Sequence, residues 1–257
     1  VNAEALTEPI LTLAGTIESR RGAAPPASDP SLDRTPVGAD PLVYQLVYSM
    51  LLWEASHDLA SRCLEAIRAE VVDFNELRVC SVGEVAAMLP RDCPKRSERV
   101  DRLLTALNAI FLREHGLSLS HLQGLPKREA RQYLDALPGL PQFAAARVLL
   151  VSLGGHAFPT DARIARVLEE AGVIDTRNAR NPDLGSKLER AVRAADALRV
   201  YGLLEAEACE LPARRSPSRK GPASTPARDE DPAGDQPASP DPDAEQAEIF
   251  DADGAES

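Results

Sequence analysis

Residues 134–167 are LDALPGLPQFAAARVLLVSLGGHAFPTDARIARV. Leu137-Pro138-Gly139-Leu140-Pro141 separates two segments of helical character, about 127–136 and 142–153. Gly139 admits a positive φ at no steric cost, so the pair closes into a tight helix-hairpin-helix. The start of the second helix then presents free N–H groups and the positive end of its dipole. Such a turn can cradle a phosphate without any lysine or arginine. Ala144, Ala145 and Ala146 keep the second helix slim, which lets the first pack close. An ordinary helical hairpin would carry the same Gly and Pro. The added signal is Asp161, which lies 22 residues after Gly139, follows the Gly154-Gly155 turn and opens a further helix over 162–171.

Outward from this stretch the spacing of apolar residues is helical almost everywhere. Leu42, Val43, Leu46, Val47, Met50 and Leu51 mark one helix, and a second is expected over about 58–72. A short helix falls at 82–89. The clearest amphipathic face is Val100, Leu103, Leu104, Leu107, Ile110 and Phe111, in a helix that opens at Ser97 and ends near Gly116. A last long helix is expected over 186–210. No segment alternates with period two, so the expected class is all-α. Residues 1–40 read as a short helix followed by a linker, since Gly22–Pro41 contains five prolines. Residues 41–211 form the expected domain. Residues 212–257, rich in Pro, Ala, Ser, Asp and Glu, are expected to be disordered because they cannot bury enough apolar surface to offset their ordering entropy.

The net charge of −11 is unevenly placed. Residues 213–257 carry 5 basic and 11 acidic groups, while residues 41–212 carry 21 and 23. The middle of the chain is therefore near neutral and has no strong electrostatic footprint for nucleic acid. Cys63, Cys80, Cys93 and Cys209 contain no CxxC pair, and only 4 histidines are present. This excludes the common zinc spacings and favours buried free thiols, so no metal is expected. No apolar run reaches the ~18–20 residues of a membrane span. No secretory pattern opens the sequence. A cytoplasmic, nucleoid-associated location is expected.

The stretch 137–167 resembles the endonuclease III-like superfamily of DNA glycosylases, the helix-hairpin-helix-GPD proteins. The family pattern pairs LPGVG with a downstream VDTxIxRV. The corresponding residues here are Leu137 to Pro141 and Thr160-Asp161-Ala162-Arg163-Ile164-Ala165-Arg166-Val167. Weaker likeness extends over Pro41–Asp58 and Lys95–Leu112. The resemblance implies a two-lobed helical DNA glycosylase fold and double-stranded DNA as partner, with the protein acting as a monomer. It implies base excision, in which a nucleotide is flipped out and positive charge on its sugar is stabilised by a carboxylate, here Asp161. Leu137, Gly139, Leu140, Gln142 and Arg163 are the implied DNA contacts. Asp161 is also an ordinary helix N-cap, and the two roles are compatible.

Three departures shape the expected activity. The position of the Schiff-base lysine of bifunctional members is Phe143, which cannot be a nucleophile, so a monofunctional enzyme without lyase activity is implied. Phe143 is then a pocket wall or a stacking ring. Pro141 stands at the second hairpin glycine and removes one N–H, though it could serve as the first residue of the next helix. The residue that fills the gap left by the flipped base falls near Ala55, which leaves Trp53 or His57 to take that part. The cysteines that bind an iron–sulfur cluster in many relatives are missing, so no cofactor is implied. The alternative is a catalytically silent DNA-binding or protein-interaction module, whose acidic tail, with Ile249 and Phe250, binds a protein partner.

Overall fold

The computed structural model describes residues 3–22 and 39–211; the linker and the acidic tail lie outside them. Every regular element among these residues is helical. In chain order they are α1 (Ala3–Arg21), α2 (Pro41–Leu52), α3 (His57–Glu70), α4 (Phe74–Val79), α5 (Val82–Met88) and α6 (Arg96–Glu114). A 3-10 turn (Ser120–Gly124) leads to α7 (Lys127–Asp135) and α8 (Gln142–Arg147). Then follow α9 (Ala162–Glu170), α10 (Thr176–Ala179), α11 (Leu184–Ala191) and α12 (Ala194–Glu210).

The helices pack as two lobes. In one, α2 lies on α3 and α6, with α4 and α5 against α6; in the other, α1 packs on α11 and α12, and α9 on α10 and α12. The hairpin pair α7–α8 joins them, because α8 and its continuation also meet α2 and α12. α2 is buried along its whole length from Leu42 to Leu52, as expected of a helix that is apolar nearly all round. Its N-terminus is set by Asp40. One oxygen of that carboxylate accepts from Leu42 N and Val43 N, at 2.8 and 3.2 Å. The other accepts from Ser118 Oγ, Leu119 N and Ser120 N at 2.6, 2.8 and 3.0 Å. One residue thus caps a helix and ties down the 3-10 turn.

Four features differ from the expectation. The N-terminal helix was set apart from the domain, but Leu6, Ile10, Ala14 and Ile17 of α1 are buried in the common core, spaced at i, i+4, i+8 and i+11. The single helix over 186–210 is two, broken at Val192–Arg193 without Gly or Pro. Tertiary partners replace the helical bonds there: Thr7 Oγ1 donates to Ala191 O at 3.0 Å, and His156 Nε2 lies 3.0 Å from Val192 O. The helix expected over 142–153 turns π-helical at Val148–Ser152, where Leu153 N donates to Val148 O. Gly155 is fitted to this widened turn, since a Cβ there would lie 2.5 Å from Leu149 Cδ1. Finally, α4 was not expected; Asp73 caps it through Asn75 N and Glu76 N.

Candidate active site

The hairpin turn is fixed by packing as well as by torsion. Gly139 has φ +78°, and a Cβ there would stand 2.5 Å from Arg102 O and 2.9 Å from Thr105 Cβ. Only glycine lets the turn lie this close to the α6 backbone. Pro141 is the residue before α8 (φ −63°, ψ 144°), so it does not begin the helix. No side chain caps α8. Its first turn is Gln142, exposed, and Phe143, whose ring is buried.

Asp161 caps α9 from the opposite side. Its Oδ1 accepts from Arg163 N and Ile164 N at 2.9 and 3.0 Å. Its Oδ2 accepts from Glu54 N at 2.8 Å, a contact across 107 positions of sequence. Burial pushes the Asp161 carboxyl above the usual carboxylate range, and the charge of Glu54 adds to this, against the three backbone N–H groups that hold it down. A pocket of about 410 Å³ opens beside it. Gln142 and Phe143 of α8, Thr160 and Asp161 before α9, Asn181 and Pro182, and the first turn of α11 (Leu184, Gly185 and Ser186) line it. Arg131 and Glu189, paired at 2.6 and 2.9 Å, close it. The volume falls within the roughly 300–1,000 Å³ range of small-molecule sites and admits a nucleobase.

The loop between α2 and α3 carries Trp53 and Glu54. Arg99 of α6, 1% exposed, anchors it by donating to the carbonyls of Met50, Leu51 and Trp53. The Trp53 ring has Lys95, Arg102 and Arg99 around it, at 4.8, 5.4 and 5.8 Å from its centroid. Below this loop lies a buried ionic network. Glu205 accepts from Arg147 Nε at 2.9 Å and from the Tyr201 hydroxyl, and its Oε2 lies 3.3 Å from His57 Nε2. The other ring nitrogen of His57 meets the Tyr48 hydroxyl at 2.8 Å. Burial pushes the Glu205 carboxyl up, but Arg147 and His57 more than reverse this and leave it at about 2.

No family model matches the chain. Over 105 residues, 41% of this chain and 8% of the relative's length, it is 26% identical to DEMETER-like protein 2 of Arabidopsis thaliana. Among solved structures it is similar to an endonuclease III trapped in a covalent intermediate with DNA, at TM-score 0.55 and 14% identity, covering 77% of this chain and 84% of that one. A 3-methyladenine DNA glycosylase of H. pylori, bound to 1,N6-ethenoadenine, gives TM-score 0.51 at 13% identity, over 79% and 99%. The chain has the helical DNA glycosylase fold. Within that fold the hairpin and the α9 N-terminus face the same pocket, and the residues anticipated from sequence fall into two groups.

Gly139, Leu140, Gln142, Phe143, Trp53 and Asp161 belong to the hairpin, the pocket or the loop bound to Asp161. Three others are employed elsewhere. Leu137 is 3% exposed and packs in the core. Arg163 turns back to donate to Ala208 O and Leu211 O, and so caps α12. His57 is held at both ring nitrogens, by Tyr48 and Glu205. The assignment at Ala55 also shifts: Ala55 is buried, and Glu54 is the residue that meets Asp161. An acidic residue inside a four-residue connection, just before the Ser56 cap of α3, was the signal available for Glu54. Its φ of +56° was not legible.

Proposed function

We propose that the chain is a monofunctional DNA glycosylase, acting on a damaged or mismatched base in double-stranded DNA, with Asp161 as its catalytic carboxylate. The observation that carries this is the placement of Asp161, fixed by three backbone N–H groups, beside Phe143 at a pocket large enough to admit a nucleobase. With the nucleotide flipped out, the base enters the pocket between Phe143 and the residues before α11. Asp161 faces the sugar, stabilises the positive charge that develops as the glycosidic bond breaks, and orients the attacking water. Hydrogen bonds fixed before the reaction mean that the carboxylate needs no reorganisation as charge builds. Phe143 offers no amine, so the product is an intact strand with an abasic site. The uncapped start of α8 and the cations around Trp53 supply the contacts to phosphate.

The second reading, a silent DNA-binding or protein-interaction module, is favoured by Pro141, by Phe143 and by the structural work that Asp161 already does at α9. Incubation with a panel of lesion- and mismatch-containing duplexes separates the two. The enzyme reading predicts strand scission at one class of lesion after alkali and none before it. A blank across the panel supports the silent module, and scission without alkali contradicts the absence of lyase activity.

A further inference from the structure

Glu54 is one of three non-glycine residues with positive φ among the described residues, with Lys95 and His115. Two of the three touch: Lys95 Nζ lies 3.0 Å from Glu54 Oε2 and 3.1 Å from Oε1. Left-handed backbone is costly for residues with a Cβ and persists only where the surroundings over-determine it. Here Arg99 holds both ends of the arrangement, through Trp53 O on one side and Pro94 O on the other. Glu54 is also the residue whose N–H reaches Asp161 from outside α9.

We propose that Glu54 is the positioning residue for Asp161, its left-handed backbone aiming an N–H at the carboxylate. The backbone of Glu54 and its side chain then act on Asp161 in opposite directions. The N–H stabilises the charged carboxylate. The side-chain carboxylate repels it and favours the protonated form. Asp161 also faces Arg163 on its own helix, Tyr201, Glu205 and Cys209 on α12 and, around the pocket, Arg180 and the Arg131–Glu189 pair. None of these is altered by changes at residue 54, and since Gly and Val both free the Lys95 ammonium, the difference between those two variants isolates the aimed N–H. The consequence for catalysis rests on the function proposed above; the protonation of Asp161 can be followed without it.

Three variants of the full chain make the test: Glu54→Gln, Glu54→Gly and Glu54→Val. Glycine takes φ +56° without a Cβ penalty and keeps the N–H in place. Valine, β-branched, is expelled from that region. Asp161 is titrated by NMR in protein carrying 13C-labelled aspartate carboxyls, its signal assigned by its loss in Asp161→Asn. Removing the charge, and with it the partner of Lys95, lowers the midpoint of Asp161 in the Gln and Gly variants. Removing the aimed N–H leaves the Val variant titrating above the Gly variant, although both lack the charge. In base release the Val variant loses at least tenfold in kcat with KM little changed, and the Gly variant recovers most of it. Val and Gly variants that titrate together, or a Gln variant that titrates as the unaltered protein does, would overturn the proposal. Failure of every duplex in the panel to release a base would instead count against the function, and the titration would still decide the role of Glu54.

Discussion

The two banks of the pocket have been treated differently. On the hairpin bank, Pro141 offers no N–H and Phe143 no amine, while Gly139 seats the turn against α6. On the acid bank, Asp161 keeps three backbone donors, one from a distant loop, above the buried network of Glu205, Arg147 and His57. The hairpin bank presents no nucleophilic side chain at positions 141 and 143; the acid bank presents a carboxyl held by three fixed donors. The contrast shows that the geometry of the hairpin rests on Gly139 and not on the groups at positions 141 and 143.

The largest effect expected on the hairpin bank comes from Gly139→Ala. The methyl must displace Arg102 O and Thr105 Cβ while the residue holds φ +78°. Together these cost roughly 2–5 kcal/mol, read from chemical denaturation. A loss under about 1 kcal/mol would mean that the turn is not seated on α6 as described.

On the acid bank the corresponding test is pH. The carboxyl of Glu205, depressed to about 2 from 4.5, contributes stability that is present above pH 4.5 and lost as pH falls toward 2. The contribution is on the order of 3 kcal/mol. Denaturation midpoints should therefore fall through this window in the unaltered protein and fall less steeply in Glu205→Gln. Parallel acid limbs in the two proteins would detach the network from the stability of this bank. The smallest effect is that of Arg163→Ala, which gives up two bonds at the end of α12 and costs about 1–2 kcal/mol. Its DNA affinity should keep the same salt dependence, because this guanidinium faces carbonyls and not phosphate. A shallower salt slope would return Arg163 to the DNA interface.

Sequence showed the frame of this comparison and missed the links across it. The helical periods of α2 and α6, the Gly139 turn and the Asp161 cap that opens α9 were legible because each follows from local chemistry: apolar spacing, a positive φ, a carboxylate before free N–H groups. Most of the amphipathic face of α6 is buried as the period implied, with Val100, Leu103, Leu104, Leu107 and Ile110 in the core. Phe111 is the exception, partly exposed beneath the Arg78 guanidinium. The roles of Arg163 and His57 were not legible. A cation near a DNA-binding motif and a histidine near a helix start have many possible partners, and only tertiary packing brings the α12 carbonyls and Glu205 to them. Glu54 was hidden for the same reason: its N–H finds Asp161 only when loop and cap meet. The break at Val192 has no Gly or Pro to announce it; the carbonyls of Ala191 and Val192 there meet Thr7 of α1 and His156.

The account turns on the negative charge of Asp161, and single-turnover base release by Asp161→Asn tests it most directly. The amide can still accept from Arg163 N and Ile164 N, but its NH2 then confronts Glu54 N–H, so a stability loss of about 1–3 kcal/mol is expected. The comparison is therefore made at a temperature where both proteins are folded. Loss of a fixed electrostatic contact to the cationic sugar lowers the rate by about 10²–10³, while affinity for the duplex stays level or rises. Base release that survives Asp161→Asn at the unaltered rate would contradict the account and move the catalytic group elsewhere in the pocket.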